Sequence, residues 1–146
     1  MQKLIPPYLF LISLSLMAGA SYACFIRDGA LVLNPWGTIA FVAGLVIAVL
    51  AKKQFRKIQT TVQTFDTPDR LVTSGLFRHS RNPMYLGLLI ALAGAAVATQ
   101  CVFSAIIVLC FFGACRFWYI AHEERVMLAG FGDAYQQYCA QTRRWI

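Results

Sequence analysis

Two short polar stretches in a hydrophobic chain carry the residues that could do chemistry. The first runs Arg81-Asn82-Pro83-Met84-Tyr85, and the second is the pair Glu123-Glu124. Asn-Pro suits a helix start, with asparagine as the cap and proline in the first turn. Such a helix mouth presents unpaired backbone N–H groups that attract a carboxylate or phosphate, and Arg81 beside it strengthens that attraction. A glutamate can pair with an ammonium, and the rings of Tyr85 and Phe77 can face a cation. Leu71 and Val72 could line an apolar slot. Together these groups offer an anion, a cation beside a helix mouth, aromatic faces and an apolar slot.

The elements that position these groups must lie in a membrane. Of 146 residues, 59% are hydrophobic and only 13% are charged, against about a quarter charged in soluble domains. The apolar residues gather into four runs near 5–25, 35–51, 84–100 and 102–121. Each has close to the length of about 20 residues that a helix needs to cross the hydrocarbon. The fold class expected is therefore all-α: a single polytopic membrane domain over 1–146 with about four transmembrane helices. A long loop, 53–82, precedes the third span, far above the usual median of about 4–6 residues. Within it, Thr67-Pro68-Asp69 and Thr73-Ser74-Gly75 signal turns, and Lys52 to Ile58 can prolong span two as a basic helix end. Gly130-Phe131-Gly132 signals a break, after which Asp133 begins a short C-terminal helix. Phe131, Tyr135 and Tyr138 fit its apolar side.

The first run also resembles a signal peptide, with small residues Ala18 to Ala23 near a cleavage site. Pro6-Pro7 and the three further spans favour a retained helix. The net charge of +7 reflects topology. Lys3, the seven basic residues of the central loop, and Arg125, Arg143 and Arg144 all fall on one side, and only Arg27 lies in the loop between spans one and two. Basic residues in short loops mark the cytoplasmic side, so both termini and the central loop are expected there, with the protein integral to a bacterial inner membrane. A nucleic-acid partner is excluded, because that reading needs a folded basic face with base-reading groups. The five cysteines contain no Cys-x-x-Cys pair and no histidine cluster accompanies them, so no metal is expected. Cys24 and Cys101 fall at the same outer edge, where a disulfide could form. Arg116 sits about two turns inside span four, on one helical face with Tyr119 or Ile120 and with Glu123. Such a charge is either functional or a bundle-holding ion pair.

The two polar stretches resemble the integral-membrane methyltransferases that include isoprenylcysteine carboxyl methyltransferase and the phospholipid N-methyltransferases. The resemblance covers roughly the C-terminal half. The family's Arg-His-Pro-x-Tyr motif matches Arg81 to Tyr85, its Leu-Val-x-x-Gly-x-Tyr pattern matches Leu71, Val72, Gly75 and Phe77, and its paired glutamates match Glu123 and Glu124. Two residues depart from it, Asn82 for His and Phe77 for Tyr. Asparagine is neither acid nor base near neutrality, so a proton-transfer role at that position does not carry over.

The resemblance implies methyl transfer from S-adenosylmethionine to a lipophilic or small hydrophobic acceptor, a carboxylate, thiol or amine, at the cytosolic membrane face. The site elements implied are 69–87 and 116–146. Leu71, Val72, Gly75, Phe77, Arg81, Asn82, Pro83, Tyr85, Glu123 and Glu124 would bind the cofactor. Arg81, Asn82, Tyr85 and Arg116 would serve catalysis. Partners are then the lipid bilayer and the hydrophobic acceptor. Gly130-Phe131-Gly132 lacks the third glycine and the strand context of a Rossmann site. The competing reading is a non-enzymatic four-helix accessory or regulatory protein, with the same arginines and glutamates as structural ion pairs.

Overall fold

A computed structural model describes residues 6–28, 33–57 and 71–146, and every regular element among them is helical. Helix α1 spans Pro6–Asp28 and α2 spans Pro35–Lys57. A short 3-10 turn, Gly75–Arg78, leads to α3, Pro83–Thr99. Helix α4, Val102–Ala114, passes through a π-helical turn, Cys115–Tyr119, into α5, Ile120–Gln141. The turn expected at Thr67-Pro68-Asp69 lies outside the described residues.

Three of these stretches are long and apolar enough to cross a membrane: Pro6–Ile26, Pro35–Lys57 and Val102–Gln141. Helix α3 is apolar but has 17 residues, about 25 Å at 1.5 Å per residue. Their outer faces stay apolar. Trp36 is 75% exposed, and Ile39, Val42, Val46 and Val49 point outward along α2. A soluble fold would cover such a surface; in a bilayer it meets lipid.

The ends of the elements differ from the limits set by hydropathy alone. Helix α2 continues past Ala51 to Lys57, so the basic stretch that follows the apolar run prolongs the helix, as expected. Asn34 caps α2 as expected, its side chain accepting the Trp36 N–H at 3.0 Å. Helix α3 stops at Gln100, which takes the left-handed conformation at φ 51°. The break expected at 130–132 falls on Gly132, whose φ of 49° and ψ of −123° kink α5. Beyond the kink α5 carries Asp133, Gln136, Gln137 and Gln141, a polar end that belongs outside the hydrocarbon.

Helices α2 and α3 run antiparallel with their backbones in contact. A Cβ added to Gly37 would lie 2.2 Å from the Ala98 nitrogen, and one on Gly44 2.3 Å from the Ala91 nitrogen. From the other side, a Cβ on Gly94 would meet the Phe41 nitrogen at 2.3 Å, and one on Gly87 the Ala48 nitrogen at 2.5 Å. Small residues on facing helices allow this approach without a bulky core. Helices α1 and α4 close the bundle through Phe10 and Phe111, whose rings meet edge-on at 6.4 Å. Met17, Leu92, Ile120 and Cys115 fill the centre. Cys24 and Cys101 are both thiols, in side-chain hydrogen-bond contact at the end of the bundle opposite the motifs.

The glycine contacts yield a direct test. Gly44→Ala must force α2 off α3 and should cost about 1–3 kcal/mol or more. Gly19→Ala, with nothing within 4 Å of its added carbon, should leave stability unchanged or raised. Thermal unfolding in detergent distinguishes the two variants.

Candidate active site

The end of α2 positions the loop that enters α3. Gln54 donates from Nε2 to the Ser74 carbonyl at 2.5 Å and accepts the Leu76 N–H through Oε1 at 3.1 Å. Gly75 takes φ +61°, and a Cβ there would strike the Gln54 amide, so glycine is required both by conformation and by space. Phe77 is buried with its ring 5.4 Å from that of Phe55, and Val72 is buried with it. Phenylalanine in place of tyrosine therefore packs here as a wholly apolar plug, while Leu71 is half-buried at the edge.

From below, the C-terminal helix fastens the same loop. The Tyr138 hydroxyl donates to the Phe77 carbonyl at 2.6 Å, and Thr142 Oγ1 reaches the Arg78 carbonyl at 3.4 Å. Burial pushes the Tyr138 phenol up to about 12, so it stays a neutral donor across the physiological range. An open groove of about 450 Å³ lies between these two elements, lined by Thr73, Arg78, Gln137, Tyr138, Gln141 and Thr142.

Asn82 does not cap α3 with its side chain, contrary to the sequence expectation. Its Nδ2 instead donates to the Arg144 carbonyl at 3.0 Å, and its backbone N–H donates to Ser80 Oγ at 3.1 Å. The reason is tertiary: the C-terminal tail runs beside the motif and offers its backbone carbonyls, as it does when Arg143 O accepts the Arg81 N–H at 3.0 Å. Pro83 at the first position, with no N–H of its own, starts the helix nonetheless, and its mouth carries no side-chain cap.

The two motifs meet through a hydrogen bond and an ion pair. Tyr85, buried in α3, donates its hydroxyl to Glu123 Oε1 on α5 at 2.6 Å. The Tyr85 ring stacks on Tyr119 with centroids 6.3 Å apart and planes at 26°. Glu124 turns elsewhere. Arg144 grips it with two bonds, Nε to Oε1 at 2.9 Å and Nη2 to Oε2 at 2.5 Å, while Arg81 Nη2 stands 3.5 Å from Oε1. Arg81 Nη1 also contacts Cys139 Sγ. Its Nε is buried without a hydrogen-bond partner.

Arg116 lies in the π-helical turn with its guanidinium 5.7 Å from the centre of the Phe117 ring, which is 74% exposed. A π turn inserts one residue relative to α phase and rotates the residues after it by about 100°. The spacing of three, four and seven that aligned Arg116 with Glu123 is thereby altered, and the Tyr85–Glu123 bond is made without it. Sequence reasoning missed Gln54, Ser80 and the side chain of Arg144. Arg144 stood out only as part of a basic terminus, and nothing local marks Gln54 as a loop anchor.

The dependence on Tyr138 gives a pH prediction. Its folded-state value of about 12 lies above the unfolded value of 10, so only the unfolded chain ionises in between. Its contribution is complete below pH 10 and is lost as pH rises from 10 through 12. Tyr135, also raised by burial, acts in the same direction. Tyr138→Phe should weaken this alkaline loss and also cost about 1–2 kcal/mol at neutral pH by orphaning the Phe77 carbonyl. Denaturation followed against pH measures both.

No curated protein and no solved structure gives a significant match to this chain. One family model does, described as phospholipid methyltransferase, and it matches residues 33–134. That segment takes in most of the chain, including α2, the Arg81–Tyr85 motif, both glutamates and the π-helical turn that joins α4 to α5. The chain belongs to the phospholipid methyltransferase family.

Proposed function

We propose that this protein transfers a methyl group from S-adenosylmethionine to a lipophilic acceptor at the cytoplasmic face of a membrane. The family implies membrane methyltransferase activity, and its members generally use this methyl donor. The observation that carries the reading is the Tyr85–Glu123 hydrogen bond at 2.6 Å. It joins two motifs 38 residues apart into a single site.

The residues fit the donor group by group. Glu123 offers a carboxylate to its ammonium. The buried, unpartnered Nε of Arg81 and the uncapped mouth of α3 suit its carboxylate. The stacked rings of Tyr85 and Tyr119 offer an aromatic face to a sulfonium. When bound, S-adenosylmethionine supplies an electrophilic methyl group on sulfur. Tyr85 and Glu123 fix one another's orientation, so their part is to hold the reactants in line. Positioning of this kind can supply on the order of 7–11 kcal/mol. Val72 and Phe77 keep water from the apolar side, which favours attack by an anionic or uncharged nucleophile. Asn82 anchors the tail through an amide that cannot exchange a proton near neutrality, so no step is assigned to it as acid or base.

In this reading α3 is a fourth span, because it lies backbone-to-backbone along α2. The basic loop and both termini face the cytoplasm of a bacterial inner membrane. The acceptor, carrying a carboxylate, thiol or amine, reaches the site from the lipid. Arg116, in the π-helical turn that follows α4, would meet an anionic acceptor group there.

The ion cluster at Glu124 would also suit an accessory protein without activity, and one variant separates the two readings. Glu123→Gln should weaken binding of S-adenosylmethionine to the detergent-solubilised protein about tenfold to a hundredfold, the equivalent of one charge-assisted hydrogen bond of about 1.5–3 kcal/mol. Its unfolding temperature should stay near that of the native protein; calorimetry and a thermal melt read the two quantities. Incubation of the native protein with methyl-labelled donor and membrane extract should place label in the organic phase. A well-folded protein that neither binds the donor nor transfers label contradicts the proposal.

A further inference from the structure

We infer that Arg144 is a positioning residue for the cofactor site: it occupies Glu124, and so keeps the charge of Arg81 available for the donor's carboxylate. The inference rests on the methyltransferase reading and concerns a residue beyond the segment that the family model matches.

Glu123 and Glu124 are neighbours on α5, and neighbours on an α-helix point about 100° apart. They therefore serve different partners. Glu123 meets Tyr85, whereas Glu124 lies between two guanidinium groups. The distances are unequal in a way that matters. Arg144 holds both oxygens of Glu124, at 2.9 and 2.5 Å, in the planar two-bond arrangement that arginine and carboxylate favour. Arg81 stands off at 3.5 Å with one contact. Two cations share one carboxylate, so the cluster keeps a surplus positive charge. Arg81 also keeps a buried Nε with no partner. Both features sit beside the uncapped mouth of α3, where an anionic group is favoured.

Without the Arg144 side chain, Glu124 would have Arg81 as its remaining ion-pair partner among the described residues. It would close on that guanidinium, cancel its charge and compete with the donor's carboxylate. The tail itself would remain in place, because its backbone makes separate bonds: Arg143 O with the Arg81 N–H, and Arg144 O with Asn82 Nδ2. Removing the side chain of Arg144 therefore tests its charge apart from the docking of the chain.

The experiment compares two probes on the detergent-solubilised full chain. S-adenosylhomocysteine carries the carboxylate and ammonium; methylthioadenosine carries neither. Arg144→Gln should weaken S-adenosylhomocysteine about tenfold or more and leave methylthioadenosine unaffected. Adding Glu124→Gln to that variant should restore the lost affinity, because the competing carboxylate is gone. A residue that merely braces the fold predicts the opposite, a double variant at least as impaired as the single one, with both probes weakened together. That result, or an Arg144→Gln protein that binds S-adenosylhomocysteine as tightly as the native protein, overturns the inference. Should Arg144→Gln not fold, Glu124→Gln alone decides: it should tighten S-adenosylhomocysteine, and weakening overturns the inference. Native protein that binds neither probe instead refutes the methyltransferase reading itself.

Discussion

Contact between the backbones of α2 and α3 is the constraint on which the rest of this molecule depends. Four glycines, at 37, 44, 87 and 94, leave no room for a Cβ at the interface, so each faces the partner backbone in the register the helices adopt. That register brings the start of α3 level with the last turns of α2. It puts Gln54 within reach of Ser74 and Leu76, and Phe55 against Phe77. The loop that leads into the Arg81–Tyr85 motif is thus held by the last turns of α2. In a bilayer, where lipid is as apolar as the helix surfaces, close packing of small residues takes over the role that hydrophobic burial plays in water.

A second constraint acts at the polar end. Charged groups at a membrane edge are costly unless paired, and here one carboxylate is shared between two arginines while the neighbouring one bonds a tyrosine. The arrangement separates two functions that look identical in sequence. Glu124 organises cations, and Glu123 remains with the aromatic pair of Tyr85 and Tyr119. The C-terminal tail completes this end by supplying backbone carbonyls to Arg81 and Asn82. The side-chain amide of Asn82 suffices to hold the Arg144 carbonyl.

Much of this was legible in the chain itself. The helical class, the apolar stretches and the motif loop come from composition and local order, since hydropathy and Asn-Pro or glycine signals act over a few residues. Also legible was the basic extension of α2 past Ala51, which the structure carries to Lys57; how each helix start is capped was less so. Asn34 and Asn82 show the limit well. Both precede a proline and look alike, yet Asn34 caps its helix and Asn82 turns to the tail.

The sequence by itself determined that this is a helical membrane methyltransferase-like chain, with its candidate cofactor residues in two motifs. Only the tertiary structure decided which glutamate meets Tyr85, which arginines meet Glu124, and where Arg116 points. The reason is that these outcomes depend on helix phase and on contacts 20 to 62 residues apart. A single π-helical turn at Cys115–Tyr119 changes the phase of everything after it, and no local spacing records the change.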